Sequence, residues 1–174
     1  TFRTADVVGI DTLVKVAKGV SDNCPRDEAR ETFAIPAWFE KMLEYNWIGD
    51  KTGQGFYKKM PPPPSLAVGG GEKQIYALNL STFEYEPRQR VKFATLEAAK
   101  PVDDLKQRLK ILVAGKDKAG EFYRQFHYGL FSYISHRIPE ISDEIFRVDD
   151  AMMAGFGWEI GAFESWDVLG VAKT

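Results

Sequence analysis

Apolar residues recur at helical spacing through most of the chain and alternate in one short stretch, so the pattern predicts a mainly α protein with a small β element. Near the N-terminus, Leu13, Val16, Ala17 and Val20 fall on one face of a helix that Asp11 is placed to cap. A second helix opens at Pro36, whose fixed φ suits a first turn, and points Phe39, Met42 and Leu43 inward before Gly49 stops it. Residues 60–73 then join a run of prolines to a glycine triplet, stiff followed by loose, which reads as a linker. Beyond it Tyr76, Leu78 and Leu80 share one side of an extended segment, and residues 83–85 return as its hairpin partner. From Thr95 the period is helical again. A short segment leads to a helix ending at Gly115, then to a long aromatic helix from Gly120 to Arg137 that Pro139 breaks. A last helix is capped by Ser142 or Asp143 and stopped by Gly155.

An internal repeat changes this reading. The opening "TFRTADVVGID" matches "AFESWDVLGVA" near the C-terminus, pairing Phe2 with Phe163, Asp6 with Asp167, Val7 with Val168 and Gly9 with Gly170. Two helices precede the motif only in the second copy, and the first copy alone continues beyond it, through residue 59. Each copy is therefore expected to be half of one unit, with the chain an excised piece cut inside both. The expected organisation is a back half over 1–59, linker and hairpin over 60–94, and helical lead-in with a front half over 95–174. Unfinished helical units leave apolar surface open, so the halves are expected to complete each other within a chain or between two chains, as a homo-oligomer.

Composition narrows the function classes. With 44% hydrophobic residues in 174, the chain can bury a core. Its 23 basic side chains against 25 acidic ones leave no electrostatic footprint for nucleic acid. A lone cysteine, Cys24, precludes an internal disulfide and fits a reducing, cytoplasmic compartment, and no apolar run is long enough for a membrane span.

Candidate chemistry is sparse. The segment "GDKTGQG" at residues 49–55 has the composition of a phosphate loop but follows a helix and precedes "FYKKMPPPP", so neither spacing nor context fits. Its glycines, Gly49, Gly53 and Gly55, read as positive-φ turns that tuck Phe56 and Tyr57 back against the helices, with Lys51 the one weak candidate for a substrate-binding rim charge. A dinucleotide fingerprint fails as well. His127 and His136 stand more than two turns apart on one helix, so no metal site is expected. Asp149 and Asp150 point apart and read as cap and surface. Glu164 and Asp167 share a helical face, yet Arg3 replaces Glu164 in the first copy, so paired chemistry is not repeated. Asp6 and Asp167 are expected to be structural hydrogen-bonding groups. No catalytic, cofactor-binding or metal-binding residue is assigned within the chain. The aromatic helix reads as core or interface in preference to an acyl pocket.

Taken together, "TFRTADVVGIDTL" and "MLEYNWIGDKTGQGFYKK" resemble the C-terminal domain of L-3-hydroxyacyl-CoA dehydrogenases, with its "GPFxLxDxVGLD" turn and final "GxKTGxGFY". "RIPEISDEIFRVDDAMMAGFGWEIGAFESWDVLG" resembles the degenerate second copy found in fused fatty-acid oxidation proteins, with Ala162 where proline is frequent. The resemblance implies a helical domain that forms an interface and closes over an acyl-CoA held against a Rossmann domain. It implies NAD as the cofactor, bound outside this chain, and 3-oxoacyl-CoA as the product of the parent enzyme. The family's catalytic histidine and glutamate lie in the absent Rossmann domain, and its substrate-orienting asparagine would align with Arg124 in the second copy. Arginine cannot reproduce an amide's paired donor and acceptor, so that copy is expected to be structural and the chain alone inactive. The reading from another class is a stand-alone helical interaction module.

Overall fold

In a computed structural model of the chain, which describes residues 2–61, 74–89 and 91–174, the residues form two compact units, Thr1–Arg90 and Val91–Thr174. Most of the predicted linker, residues 62–73, lies outside the described residues.

The first unit opens with α1 (Phe2–Val8) and α2 (Ile10–Asn23), followed by α3 (Ala37–Glu44). Gly9 stands between the first two helices at φ 107°, a left-handed geometry that glycine tolerates, and its amide closes on Ala5 O at 2.8 Å. This corrects the expected cap. Gly9, not Asp11, is the N-cap of α2, and the Asp11 side chain turns to Lys51 instead. The buried face of α2 is carried by Ile10 and Val14, with Leu13 packed beside them, whereas Val16 is exposed. Pro36 sits one place before the first residue of α3, as its φ of −62° allows. Met42 is fully buried, and Phe39 and Leu43 pack against the same core. Gly49 does not end this helix. Tyr45 caps it and Asn46 takes the positive φ of 56°, which leaves Gly49 free for a second turn.

Three antiparallel strands complete the unit in the order β1 (Tyr57–Met60), β2 (Gln74–Leu78), β3 (Tyr85–Pro87). The hairpin of β2 and β3 matches the alternation of Tyr76 and Leu78, both buried. β1 was not evident in the sequence, because its "YKKM" carries two lysines. It pairs Tyr57 with Ala77 and Lys59 with Ile75. Leu78 joins Ile10, Met42 and Phe56 in one core, so the hairpin packs within the first unit.

The second unit contains α4 (Ala94–Ala99), α5 (Leu105–Ala114), α6 (Lys118–His136), α7 (Ile145–Phe156) and α8 (Ala162–Leu169). Asp104 and Asp117 cap α5 and α6 by accepting from Gln107 and Gly120 amides at 2.6 and 3.0 Å. α7 departs from the expected ends. Glu144 occupies its N-cap while Ser142 Oγ accepts from the Glu144 amide in the preceding turn, and the helix runs past Gly155 to Gly157, which adopts φ 65°. Phe131, Ile134 and Ala162 form the core, with Trp166 stacked on Phe131 at 5.1 Å. The chain is thus mainly α with one small sheet.

Candidate functional site

The segment from Ile48 to Tyr57 closes on one carboxylate. Asp6 on α1 is completely buried and accepts hydrogen bonds from the amides of Phe56 at 2.8 Å and Tyr57 at 2.9 Å. Backbone amides in a turn are the groups that would face a phosphate, and here they face a side chain of the same chain. The glycines make this approach possible for different reasons. A Cβ on Gly49 would stand 2.2 Å from the Asp6 carbonyl oxygen, and one on Gly55 would stand 2.2 Å from Asp6 Oδ1. Gly49 and Gly53 have positive φ, as expected. Gly55 does not, and its requirement is space for the carboxylate. The Ile10 amide donates to Ile48 O at 2.9 Å, and the Tyr85 hydroxyl donates to Gly55 O at 2.6 Å, so the loop is held from both sides. Phe56 enters the core among Phe2, Trp38 and Phe39, with ring centroids 4.6 to 5.9 Å away.

Burial pushes the Asp6 carboxyl above its ordinary range, against the Phe56 and Tyr57 amides, which favour the charged form; the nearby Asp50 adds to the rise and Arg3 opposes it. Burial, with the Asp6 charge behind it, pushes the Tyr85 phenol up to about 12. Lys51, the weak substrate-binding candidate, directs its ammonium to Asp11 Oδ1 at 3.2 Å and Thr12 Oγ1 at 3.4 Å. That contact holds the Asp11 carboxyl below its usual range.

The repeated motif at residues 162–172 reproduces the turn but not the latch. The Gly170 amide closes on Trp166 O at 2.9 Å, the counterpart of Gly9 on Ala5, and Gly170 has φ 92°. Asp167, however, is exposed, which corrects the expectation that it matches Asp6 as a structural acceptor. The physical reason is that Asp6 is buried under the amides of Phe56 and Tyr57, whereas among the described residues no backbone amide donates to the Asp167 carboxylate. Asp149 supplies a different tie. It accepts from the amides of Phe163 at 2.7 Å and Glu164 at 2.9 Å, so it caps α8 from α7, across a Gly161 whose Cβ would stand 2.2 Å from its own. Asp150 is exposed. Glu164 reaches Lys106 at 2.8 Å, and its counterpart Arg3 forks onto Asp50 at 2.7 and 2.9 Å, so this repeated position ties its helix to a neighbour with opposite charge in the two copies.

A cleft of about 410 Å³ in the second unit is lined by Leu105, Leu109, Tyr123, His127, Trp158 and Ser165 among others. His127 Nδ1 lies 2.7 Å from Tyr123 O, which can only accept, so Nδ1 carries the proton. Burial lowers its pKa. The buried Ser165 hydroxyl donates to Gly161 O at 2.7 Å, so serine and histidine do not form a nucleophile and base. His136 contacts its own helix at Ser132 O. Arg124 sends one guanidinium nitrogen to the carbonyls of Val113, at 2.8 Å, and Gly115, closing the C-terminus of α5, where a cation is favoured. Asp117, capping α6, also accepts from the Thr95 amide at 3.0 Å, and with Gly120 this holds its carboxyl at about 2. The sequence reading missed Asp117, although an aspartate two places after Gly115 at the head of a helical run is a cap signature.

The comparisons with known proteins agree with the motif in the first unit. Residues 1–59 match the family model "3-hydroxyacyl-CoA dehydrogenase, C-terminal domain". Across all 174 residues the chain is 41% identical to a Bacillus subtilis (strain 168) protein that carries the name of a 3-hydroxyacyl-CoA dehydrogenase, of which it covers 20%. It is 25% identical, over 94% of its length, to 20% of a Rickettsia prowazekii protein named as a fatty acid oxidation complex trifunctional enzyme. A Deinococcus radiodurans protein, again named as a 3-hydroxyacyl-CoA dehydrogenase, is 42% identical over 59 residues, 34% of this chain and 16% of that protein. The chain thus spans about one fifth of the length of the first of these relatives. No solved structure matches.

Proposed function

We propose, from the premise that residues 1–59 belong to the 3-hydroxyacyl-CoA dehydrogenase C-terminal domain family, that the chain is the substrate-closing and interface region of an NAD-dependent enzyme of fatty-acid β-oxidation. The parent reaction is oxidation of a 3-hydroxyacyl-CoA to the 3-oxoacyl-CoA, in the cytoplasm. The observation that carries this reading is the Asp6 latch, which takes the Phe56 and Tyr57 amides of the "KTGQGFY" loop, while the Thr52, Gly53 and Gly55 amides turn to backbone carbonyls, so the segment is a structural wall in place of a phosphate cradle. NAD does not fit the residues present. Among the described residues no strand leads through a glycine-rich turn into a helix, and the one glycine-rich loop is wrapped around a carboxylate, which repels a pyrophosphate. In this reading the nicotinamide and the proton acceptor belong to a Rossmann domain outside this chain, and the chain alone is expected to be inactive.

Residues 120–172 act in this reading as a second, degenerate copy. Support comes from the shared turn at Gly9 and Gly170 and from Arg124, whose guanidinium closes α5. Lys51 serves as a clip between the loop and α2 through Asp11 and Thr12. The reading is tested by adding the purified chain to a separately produced dinucleotide-binding domain of the same enzyme. At least a tenfold rise in 3-hydroxyacyl-CoA oxidation is expected. No rise, together with no binding of acyl-CoA, would favour a stand-alone helical interaction module.

A further inference from the structure

A cleft of about 540 Å³ lies over the small sheet, and the function above does not use it. Strand register explains its composition. Tyr57 and Lys59 alternate onto the same face of β1, opposite Ala77 and Ile75 of β2. Arg88 follows β3 and donates its amide to Ile75 O at 3.3 Å, which brings it beside the same patch. Arg3, on the rim, is matched by Asp50, and the Lys58 ammonium lies over the Tyr85 ring at 5.4 Å. Lys59 and Arg88 are exposed and have no carboxylate partner among the described residues. The cleft therefore presents an exposed apolar side chain, Ile75, flanked by two unanswered cations.

The second unit carries a surface of the opposite sign. Residues 140–150 hold Glu140, Asp143, Glu144, Asp149 and Asp150 against one cation, Arg147. Three of these carboxylates are answered locally. Glu140 pairs with Arg137 at 2.8 Å, Glu144 pairs with Arg147 at 2.5 Å, and Asp149 caps α8. Asp143 and Asp150 are exposed and have no cation partner among the described residues. The same stretch exposes Ile141, at 69%, together with Ile145 and Phe146. Phe146 and Asp150, four places apart on α7, share a helical face, so an aromatic ring and an unanswered carboxylate point the same way. Exposed apolar side chains gathered in one stretch and rimmed by charge mark a contact surface.

From this complementarity we propose that the cleft of one copy of the chain receives residues 141–150 of a second copy. Lys59 and Arg88 meet the carboxylates of Asp143 and Asp150, and Ile75 and Tyr57 cover the apolar side chains between them. Each copy carries both surfaces, so a two-fold axis pairs each cleft with the other copy's segment and closes a dimer. The charged pairs set partner and register and are weakened by salt, while the buried apolar side chains supply affinity. The contact is distinct from the joining of open helical halves, because it is built on the sheet and its strand-borne cations. It does not rest on the dehydrogenase reading.

Sedimentation velocity of the chain over a range of concentration and salt tests the proposal. The mass is expected to rise toward that of two chains, and the association to weaken as salt is raised. Two charge reversals follow, Lys59→Glu with Arg88→Glu in one variant and Asp143→Lys with Asp150→Lys in another. All four side chains are exposed, so circular dichroism of both variants should match the wild type. Each variant alone is expected to associate at least tenfold more weakly than the wild type. An equimolar mixture of the two restores opposite charge at both contacts and is expected to associate within about threefold of the wild type. A constant monomer mass, or association that salt leaves unchanged, would overturn the proposal without recourse to any variant. Undiminished association of either variant alone, or a mixture of folded variants that stays as weak as its components, would overturn it as well.

Discussion

Asp6 carries two opposed effects in one side chain: complete burial, which disfavours its charge, and two amide donors, which need an acceptor. Replacing it with alanine leaves both donors without that acceptor, at a cost of about 3 kcal/mol, measured as the loss in urea stability read from Trp38 and Trp47. Its pH dependence has a defined sign. Because the folded pKa is raised, the stability Asp6 gives through protonation is fully present below the unfolded value of ~3.9 and is lost as pH rises through the folded pKa. The difference between the wild type and Asp6→Asn is therefore expected to move in favour of the wild type as pH falls from neutral to about 4. Asp117 has the opposite sign. Its folded pKa, about 2, lies below the unfolded value, so its contribution is present above the unfolded pKa and lost as pH falls through the folded one. Asp117→Asn should thus flatten the acid loss of the second unit, monitored by Trp158 and Trp166, between pH of about 4 and about 2.

Among the elements, glycine substitutions separate required positions from incidental ones. Gly55→Ala forces a Cβ against Asp6 Oδ1 and should cost the most. Gly53→Ala meets open space but holds φ 76°, for a cost of about 1 kcal/mol. Gly19→Ala, in the interior of α2 with nothing within 4 Å, should stabilise by ~0.5–1 kcal/mol. Urea midpoints in that order check the account of the loop, and an equal response at all three positions would contradict it. The helices were legible because their apolar period is long and regular, as in α6, and the hairpin because Tyr76 and Leu78 alternate. β1 was not, since its adjacent Lys58 and Lys59 fall on opposite faces and hide the alternation, and its partner strand follows a gap of more than a dozen residues. Helix ends were the weakest part: Asp11 and Gly155 have the residue types of caps, but a lysine forty residues away and the next glycine along decided their roles. The sequence marked Asp6 as a structural acceptor, while its donors, fifty residues distant, became visible only in three dimensions.

At the scale of the molecule, the two units differ in how completely they bury their apolar residues. In the first, Phe56, Met42 and Ile10 form a closed core. In the second, α7 has no buried residue among those described, and Ile145, Phe146 and Phe156 are all more than half exposed. Apolar surface of this extent predicts self-association, so light scattering should give a mass that rises with concentration; a constant monomer mass would contradict it. The central claim, that this region shapes a thioester site without performing its redox chemistry, is tested most directly by supplying the purified chain with NAD and a 3-hydroxyacyl-CoA and following NADH. The account predicts no NADH above the buffer rate at any chain concentration. Sustained turnover by the chain alone would contradict it.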